Sequence, residues 1–201
     1  MRWYGQSAFS LAAVGDSVFI DPFGDMKAAQ GRGMTWNYPA ITGAVADLLL
    51  VTHEHADHNA VQVVAGVKQT VRSSAGTKRG ANVIYVFELG GVRVCHMGDF
   101  GQAELRPEQR MAIGKVDLLF VPVGGLATID GRAAAELVEL LEPTWVVPMH
   151  YRTPAISFLE PIDGFLNAVK GEVVALGRAT FDTSDVAPEG GRMIVVPAPP
   201  S

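Results

Sequence analysis

The sequence predicts an α/β fold in which sheets are covered by helices, and three observations support it. Continuous apolar runs, such as Leu48–Val51 and Val116–Val123, are typical of strands that are buried on both faces. Apolar residues recur at helical spacing after Asp130 and stop before Pro143. Strands and helices therefore alternate along the second half of the chain, a pattern that favours packed layers of both.

The individual elements are predicted from their periodicity and from the turns that bound them. Strands are expected at Ser7–Val14, Ser17–Ile20, Asp47–Thr52, Asn82–Glu88, Val92–Met97, Val116–Val123, Thr144–Met149, Val173–Ala175 and Met193–Val196. Glycine-containing turns pair the first two strands, and also the fourth with the fifth, as hairpins. Helices are expected from Asp130 or Gly131 to Pro143 and over Pro161–Val169, and Asn59 is a candidate cap for a short helix.

Length and composition predict one domain that spans residues 1–201, since domains commonly have about 100–200 residues. Hydrophobic residues make up 48% of the chain and charged residues 18%, which argues against disorder. A net charge of -5 gives no support for a nucleic-acid partner. No apolar run approaches the ~20 residues of a membrane helix, so no membrane partner is expected. The single cysteine, Cys95, and the absence of a secretory signal predict a cytoplasmic protein, and a homo-oligomer is left open.

Three of the five histidines stand in one short run, His53-Glu54-His55-Ala56-Asp57-His58, directly after a predicted buried strand. In an extended segment His53 and His55 project to one side, and Asp57 and His58 follow a turn. Imidazole and carboxylate groups are ligands for zinc, and they also suit iron and manganese. A core histidine whose ring nitrogens are hydrogen-bonded within the protein would explain any one of these residues but not the whole run. The run therefore predicts a metal centre.

The sequence resembles the metallo-β-lactamase superfamily. Thr52–Asn59 matches the His-x-His-x-Asp-His signature of that family. Trp3–Phe9 looks like its opening hairpin, Cys95–Gly101 like the segment with its bridging aspartate, and Val147–Tyr151 like the strand end with its last histidine ligand. The resemblance covers nearly the whole chain. It implies a four-layer αββα sandwich with the metals in a cleft at one edge of the sheets.

The resemblance also implies a site for one or two zinc ions, with manganese or iron as alternatives. The ligands that it implies are His53, His55, Asp57, His58, Asp99 and His150. His53 and His55 are expected on one ion. Asp57, His58 and His150 are expected on the other, and Asp99 is expected to bridge the two ions. Asp57 is further expected to act in catalysis by orienting the nucleophile and helping to move its proton.

The chain departs from the family's pattern at two places. The family takes a third histidine for the first metal from a loop after the first motif, but no histidine lies between His58 and His96. Three explanations are open: the loop is lost and the site is weakened or mononuclear, His96 replaces the histidine, or residues 73–79 stand where a longer loop is missing from the sequence. If His96 is not a ligand, it is expected to lie beside the ligands. Gln6 stands where close relatives often have histidine, and it either lines the site or is a surface residue.

The ligand set predicts a metal-dependent hydrolase in which a metal-bound hydroxide attacks an ester, lactone, amide or phosphodiester of a small-molecule substrate. Arg152 is a candidate for binding a phosphate, although a solvated surface arginine explains it equally well. The missing histidine motivates the alternative, a metal-binding but catalytically weak or silent member that acts as a binding or scaffold protein. An iron-dependent redox protein is a third interpretation.

Overall fold

The computed structural model describes residues 1–26, 34–72, 82–188 and 190–201. Residues 73–79, which the missing-loop explanation concerns, lie outside these ranges. The strands are β1 Arg2–Gly5, β2 Ala8–Ala13, β3 Asp16–Ile20, β4 Ala44–Val45, β5 Leu48–Val51, β6 Val64–Ala65, β7 Gln69–Arg72, β8 Tyr85–Leu89, β9 Val92–His96, β10 Leu118–Pro122, β11 Trp145–Met149, β12 Glu172–Ala175 and β13 Met193–Val196. The helices are α1 Pro107–Ile113, α2 Gly131–Leu141 and α3 Asp163–Leu166, with 3₁₀ turns at Val61–Val63 and Thr183–Val186.

The strands form two large sheets and one small one. The five-stranded sheet has the order β1-β2-β3-β5-β7, with antiparallel pairs up to β3 and parallel pairs after it. The six-stranded sheet has the order β12-β13-β11-β10-β9-β8 and is parallel except for the β8–β9 hairpin. Strands β4 and β6 form the small sheet. The parallel strands β9, β10 and β11 therefore end at the same edge of their sheet.

The two large sheets pack face to face. Alternate residues of the five-stranded sheet point to its two opposite sides, so each side contributes to a different core. Phe9 and Ile20 enter the core shared with the six-stranded sheet, and the Phe9 ring lies 4.5 Å from that of Phe120 between centroids. Phe19 and Leu49 face the other way and join a second core. Burying a side chain of this size contributes about 1.5–3 kcal/mol, so both faces stabilise the sheet.

Helix α2 covers the six-stranded sheet as its apolar spacing predicts. Its buried stripe includes Ala134, Leu137, Val138 and Leu141. The Asp130 side chain caps the helix by accepting a hydrogen bond from the backbone N–H of Ala133. Across the described residues, no helix has the length and apolar character to cross a membrane.

Two predictions of local structure differ from the result, and one helix was missed. Asn59 caps no helix, because only the 3₁₀ turn Val61–Val63 follows and the residue at its N-terminus is Ala60, without a side-chain cap. The helix predicted over Pro161–Val169 is confined to α3. Helix α1 was not predicted, because only Ile113 of its residues is buried and no apolar stripe marks it.

Candidate metal centre

The predicted ligands lie on loops that leave the ends of three strands. The run from His53 to His58 follows β5 of the five-stranded sheet. Asp99 follows β9, and His150 comes directly after β11, both in the six-stranded sheet. Because the sheets face each other, strand ends from both sheets meet at one edge of the sandwich.

The six predicted ligands converge at this edge. Their donor atoms form three overlapping groups, and within each group the atoms lie within 4.8 Å of one another. The groups are His53, His55 and Asp57; His53, His58 and Asp99; and Asp57, His58 and His150. The Asp99 carboxylate is central: Oδ2 lies 3.7 Å from His53 Nε2 and 3.5 Å from His150 Nε2, and Oδ1 lies 3.5 Å from His58 Nε2.

A buried aspartate, Asp21, orients His58. Its carboxylate accepts hydrogen bonds from the Thr52 backbone N–H at 2.7 Å, the Thr52 hydroxyl at 2.6 Å and His58 Nδ1 at 2.9 Å. An ionised carboxylate can only accept, so His58 Nδ1 carries a proton and the neutral imidazole has its lone pair on Nε2. His58 Nε2 is buried and has no hydrogen-bond partner within the described residues. A cation between this nitrogen and the carboxylates of Asp57 and Asp99 would satisfy it, so the donor set fits a metal ion.

The same aspartate orients His53 through Thr52. The Thr52 hydroxyl gives its proton to Asp21, so at its 3.2 Å contact with His53 Nδ1 it is the acceptor. The proton on Nδ1 leaves His53 Nε2 free to face Asp99. Groups that hold metal-binding histidines in this way fix the ring and raise its basicity.

Opposing effects set the charges of the cluster. Burial would raise the pKa of Asp99, but His150 and His58 hold it far below its usual value. Burial also favours a higher pKa for Asp57, but His58 lowers it to about 2. Burial, and then His58, lower the pKa of His53 to about 4. Burial would lower the pKa of His58 too, yet Asp99, Asp57 and Asp21 raise it well above the usual value. At neutral pH the carboxylates are thus ionised, and a cation that binds His58 replaces its proton.

His96 does not supply the missing third histidine, because both of its nitrogens are already bonded. Nε2 lies 3.1 Å from the backbone oxygen of Ser7, which can only accept, and Nδ1 accepts the backbone N–H of Gly98 at 3.2 Å. Burial lowers its pKa to about 4, which keeps it neutral. His96 lies beside the ligands, where it holds Gly98, the neighbour of Asp99, against Ser7. The Ser7 hydroxyl in turn contacts Asp99 Oδ1 at 3.5 Å.

The remaining site residues differ in their environment. His55 is exposed, and its ring meets that of His53 edge-on at 4.6 Å between centroids. Gln6 is not a surface residue, since its side chain is only 1% exposed. Arg152 is exposed and its Nε donates to the Leu159 carbonyl at 2.6 Å, with no contact to the ligands seen in the part of the chain that the structure describes.

Comparison with known proteins identifies the family. A sequence profile described as "Beta-lactamase superfamily domain" matches residues 1–73 and 62–150. The chain belongs to the metallo-β-lactamase superfamily. This superfamily member is 32% identical, over 203 aligned residues, to a UPF0173 metal-dependent hydrolase of Thermococcus onnurineus, with 76% of this chain and 84% of the relative covered. It is 30% identical, over 200 residues, to a UPF0173 metal-dependent hydrolase of Thermus thermophilus, with 76% and 84% covered.

Solved structures of the superfamily agree with the fold. A candidate Zn-dependent hydrolase of the metallo-β-lactamase superfamily from Thermotoga maritima superposes with a TM-score of 0.70 at 29% identity, covering 98% of this chain and 97% of that chain. The predicted family, the sandwich fold and the assignment to metal-dependent hydrolases are thus confirmed. The bond that is cleaved, the identity of the metal and the cytoplasmic location stay predictions.

Proposed function

We propose that this superfamily member hydrolyses an ester, lactone, amide or phosphodiester of a small molecule, with zinc as its metal. The convergence of His53, His58 and His150 on the Asp99 carboxylate carries this proposal. Mixed imidazole and carboxylate ligands suit zinc, and manganese and iron remain alternatives. The relatives are named metal-dependent hydrolases, and the Thermotoga maritima protein is named for zinc.

The ligands would form two unequal halves. Asp57, His58, His150 and Asp99 offer four donors to one ion, three of them on buried or largely buried side chains. His55 is grouped with His53 and Asp57, and His53 also faces Asp99. With Asp57 assigned to the ion of His58 and His150, the other ion has only His53, His55 and Asp99, and His55 is exposed. All five histidines of the chain are accounted for, and His96 is bonded elsewhere. One ion is therefore expected to bind more tightly than the other.

The chain's own residues divide the chemistry between them. When bound, a divalent cation supplies Lewis acidity that activates water and withdraws charge from the scissile bond. Asp57 is ionised at neutral pH, and one of its oxygens lies 3.5 Å from His58 Nε2. In this proposal its other oxygen orients the attacking water and accepts its proton. Asp21 keeps the lone pairs of His58 and His53 directed at the cluster throughout.

Metal-dependent turnover on a substrate panel tests the proposal. Purified protein is analysed for bound metals and then assayed, with zinc, on an ester, a lactone, an amide and a phosphodiester. We expect turnover on at least one of them, and we expect a chelator to abolish it. Asp57→Ala should lower kcat by 100-fold or more, since general acid–base groups contribute about 10²–10⁴-fold. Asp163→Ala, which removes an exposed carboxylate at the start of α3, should leave the rate unchanged.

The catalytically silent alternative is favoured by one observation, the incomplete ligand set of the first ion. It predicts that metal binds but that no compound of the panel is turned over. A protein that binds zinc and is inactive on all four bond types would thus overturn the hydrolase and support a binding or scaffold role.

A further inference from the structure

Gln6 carries a buried amide that the protein does not satisfy. Both side-chain atoms, Oε1 and Nε2, are buried and lack hydrogen-bond partners within the described residues. An amide removed from water without partners is unfavourable, and buried polar groups of this kind are uncommon in folded proteins. The residue is also held at a positive φ of 48°, a conformation that non-glycine residues seldom adopt. Two unfavourable features at one position indicate a functional constraint.

The backbone of Gln6 is fixed by two aromatic residues. Trp3 Nε1 donates to the Gln6 carbonyl at 2.9 Å, and the backbone of Gln6 interacts with the hydroxyl of Tyr38, where it lowers the pKa of that hydroxyl against the effect of burial. That hydroxyl also bonds Thr153 Oγ1 at 3.0 Å. The position of the amide is therefore set by surrounding structure rather than by bonds that the amide itself makes.

Gln6 adjoins the metal ligands from two directions. Its neighbour in the β1–β2 turn, Ser7, contacts the Asp99 carboxylate. The Trp3 ring stacks on Tyr151 at 5.7 Å between centroids, and Tyr151 follows the ligand His150 in the chain. Gln6 therefore lies between residues that contact the ligand Asp99 and the neighbour of the ligand His150.

The surroundings indicate which ligand the amide would take. A glutamine Nε2–H donates to a neutral carbonyl oxygen but adds no charge to balance a phosphate. Arg152, the candidate for binding a phosphate, donates a hydrogen bond from Nε to the Leu159 carbonyl. Tyr38 also borders a pocket of about 390 Å³ whose lining is mainly apolar and includes Phe23, Trp36 and Ile41. Such a pocket suits the apolar part of an acyl compound.

We propose that Gln6 is a substrate-binding residue whose amide donates a hydrogen bond to the carbonyl oxygen of a neutral carboxylic ester, lactone or amide. The proposal rests on the hydrolase function above and narrows it to carbonyl substrates. In this proposal the pocket that Tyr38 borders would take the apolar part of the substrate.

Gln6→Met tests this assignment, because methionine keeps the volume and removes the amide. The probes are 4-nitrophenyl acetate and bis(4-nitrophenyl) phosphate, which share a leaving group. We expect kcat/KM on the acetate to fall at least tenfold and kcat/KM on the phosphodiester to change less than twofold. Zinc content should be unchanged, and the melting temperature should be equal or higher, because an unsatisfied polar group is removed. Gln69→Met, on the exposed strand β7, is the matched control and should change neither rate.

An unchanged rate on the acetate, or an equal loss on both probes, overturns the proposal, as does a lower melting temperature with loss of zinc. If the wild type turns over neither probe, binding of 4-nitroacetanilide is measured by saturation-transfer NMR on the zinc-loaded protein. If the wild type binds 4-nitroacetanilide and the Gln6→Met variant does not, the result supports the role of Gln6 even though neither probe is hydrolysed. Equal binding by both proteins, or no binding, overturns it.

Discussion

Asp21→Asn tests whether one buried carboxylate directs the histidines of the site. The asparagine keeps the shape of the side chain, and its oxygen can still accept the Thr52 N–H. Its NH₂ group then faces His58 Nδ1, which lies 2.9 Å from the aspartate oxygen. His58 can accept this donor only if its proton moves to Nε2, the atom that faces Asp57 and Asp99. A proton there competes directly with a metal ion.

Two magnitudes follow from this contact. Changes to groups that orient metal-binding histidines typically weaken metal affinity about 10–100-fold, which is about 1.4–2.8 kcal/mol of binding free energy. Loss of a hydrogen bond to a charged group should also lower the free energy of unfolding of the metal-free protein by about 1.5–3 kcal/mol. Zinc affinity is measured by competition with a chromophoric chelator, and stability by urea unfolding after chelation.

Asp117→Asn provides the matched control. Asp117 accepts the backbone N–H of Arg93 at 2.8 Å and precedes β10, so it lies at the opposite end of that strand from the metal centre. The Asp117→Asn variant should lower the free energy of unfolding and leave the zinc affinity unchanged. If Asp21→Asn also binds zinc within twofold of the wild type, Asp21 does not set the direction of His58 and the tautomer argument is wrong.

Three further outcomes are expected. Gly124→Ala should weaken both zinc binding and stability, because a Cβ at Gly124 would overlap the backbone oxygen of His150; calorimetry that shows neither loss would contradict this. Zinc titration should give one tight equivalent and one at least tenfold weaker, and His55→Ala should remove only the weaker one; two equal equivalents would refute the unequal halves. Hydrogen bonds from Lys68 and then Ser17 lower the pKa of Asp47 to about 2 from 3.8, so this stabilisation is present above about pH 4 and is lost towards pH 2. Melting temperatures of wild type and Asp47→Asn should therefore differ at neutral pH and converge over that range, and a constant difference would exclude the ionised carboxylate as the cause.

Much of the fold was predictable because burial leaves its mark on the sequence. Strand β10 is covered on both faces, so its residues are all apolar and the strand is visible as a continuous run. Helix α2 buries one stripe and shows it as helical spacing. Helix α1 buries a single residue and leaves no such mark. The Asn59 cap was wrong for a different reason, since the chain after it forms only a 3₁₀ turn that begins behind Ala60.

The site was predictable to the extent that its ligands are consecutive in the chain. The run from His53 to His58 contains four of the six candidate ligands within six residues. Asp21 was not identified, because its partners Thr52 and His58 are 31 and 37 residues away. A signal for it does exist in the topology. Strands β3 and β5 are parallel neighbours with Ile20 opposite Leu50, so the residues that follow each strand must lie side by side.

The parallel pairing of β3 and β5 also explains how the candidate ligands are held although no histidine lies between His58 and His96. The Asp21 carboxylate reaches His58 directly and His53 through Thr52, and all of these residues lie at strand ends inside the sandwich. His150 and Asp99 are likewise set by β11 and β9. The third histidine that the resemblance implies would come instead from a loop. The half of the site that the sheets hold does not depend on such a loop, so a weaker site for the other ion is the expected consequence.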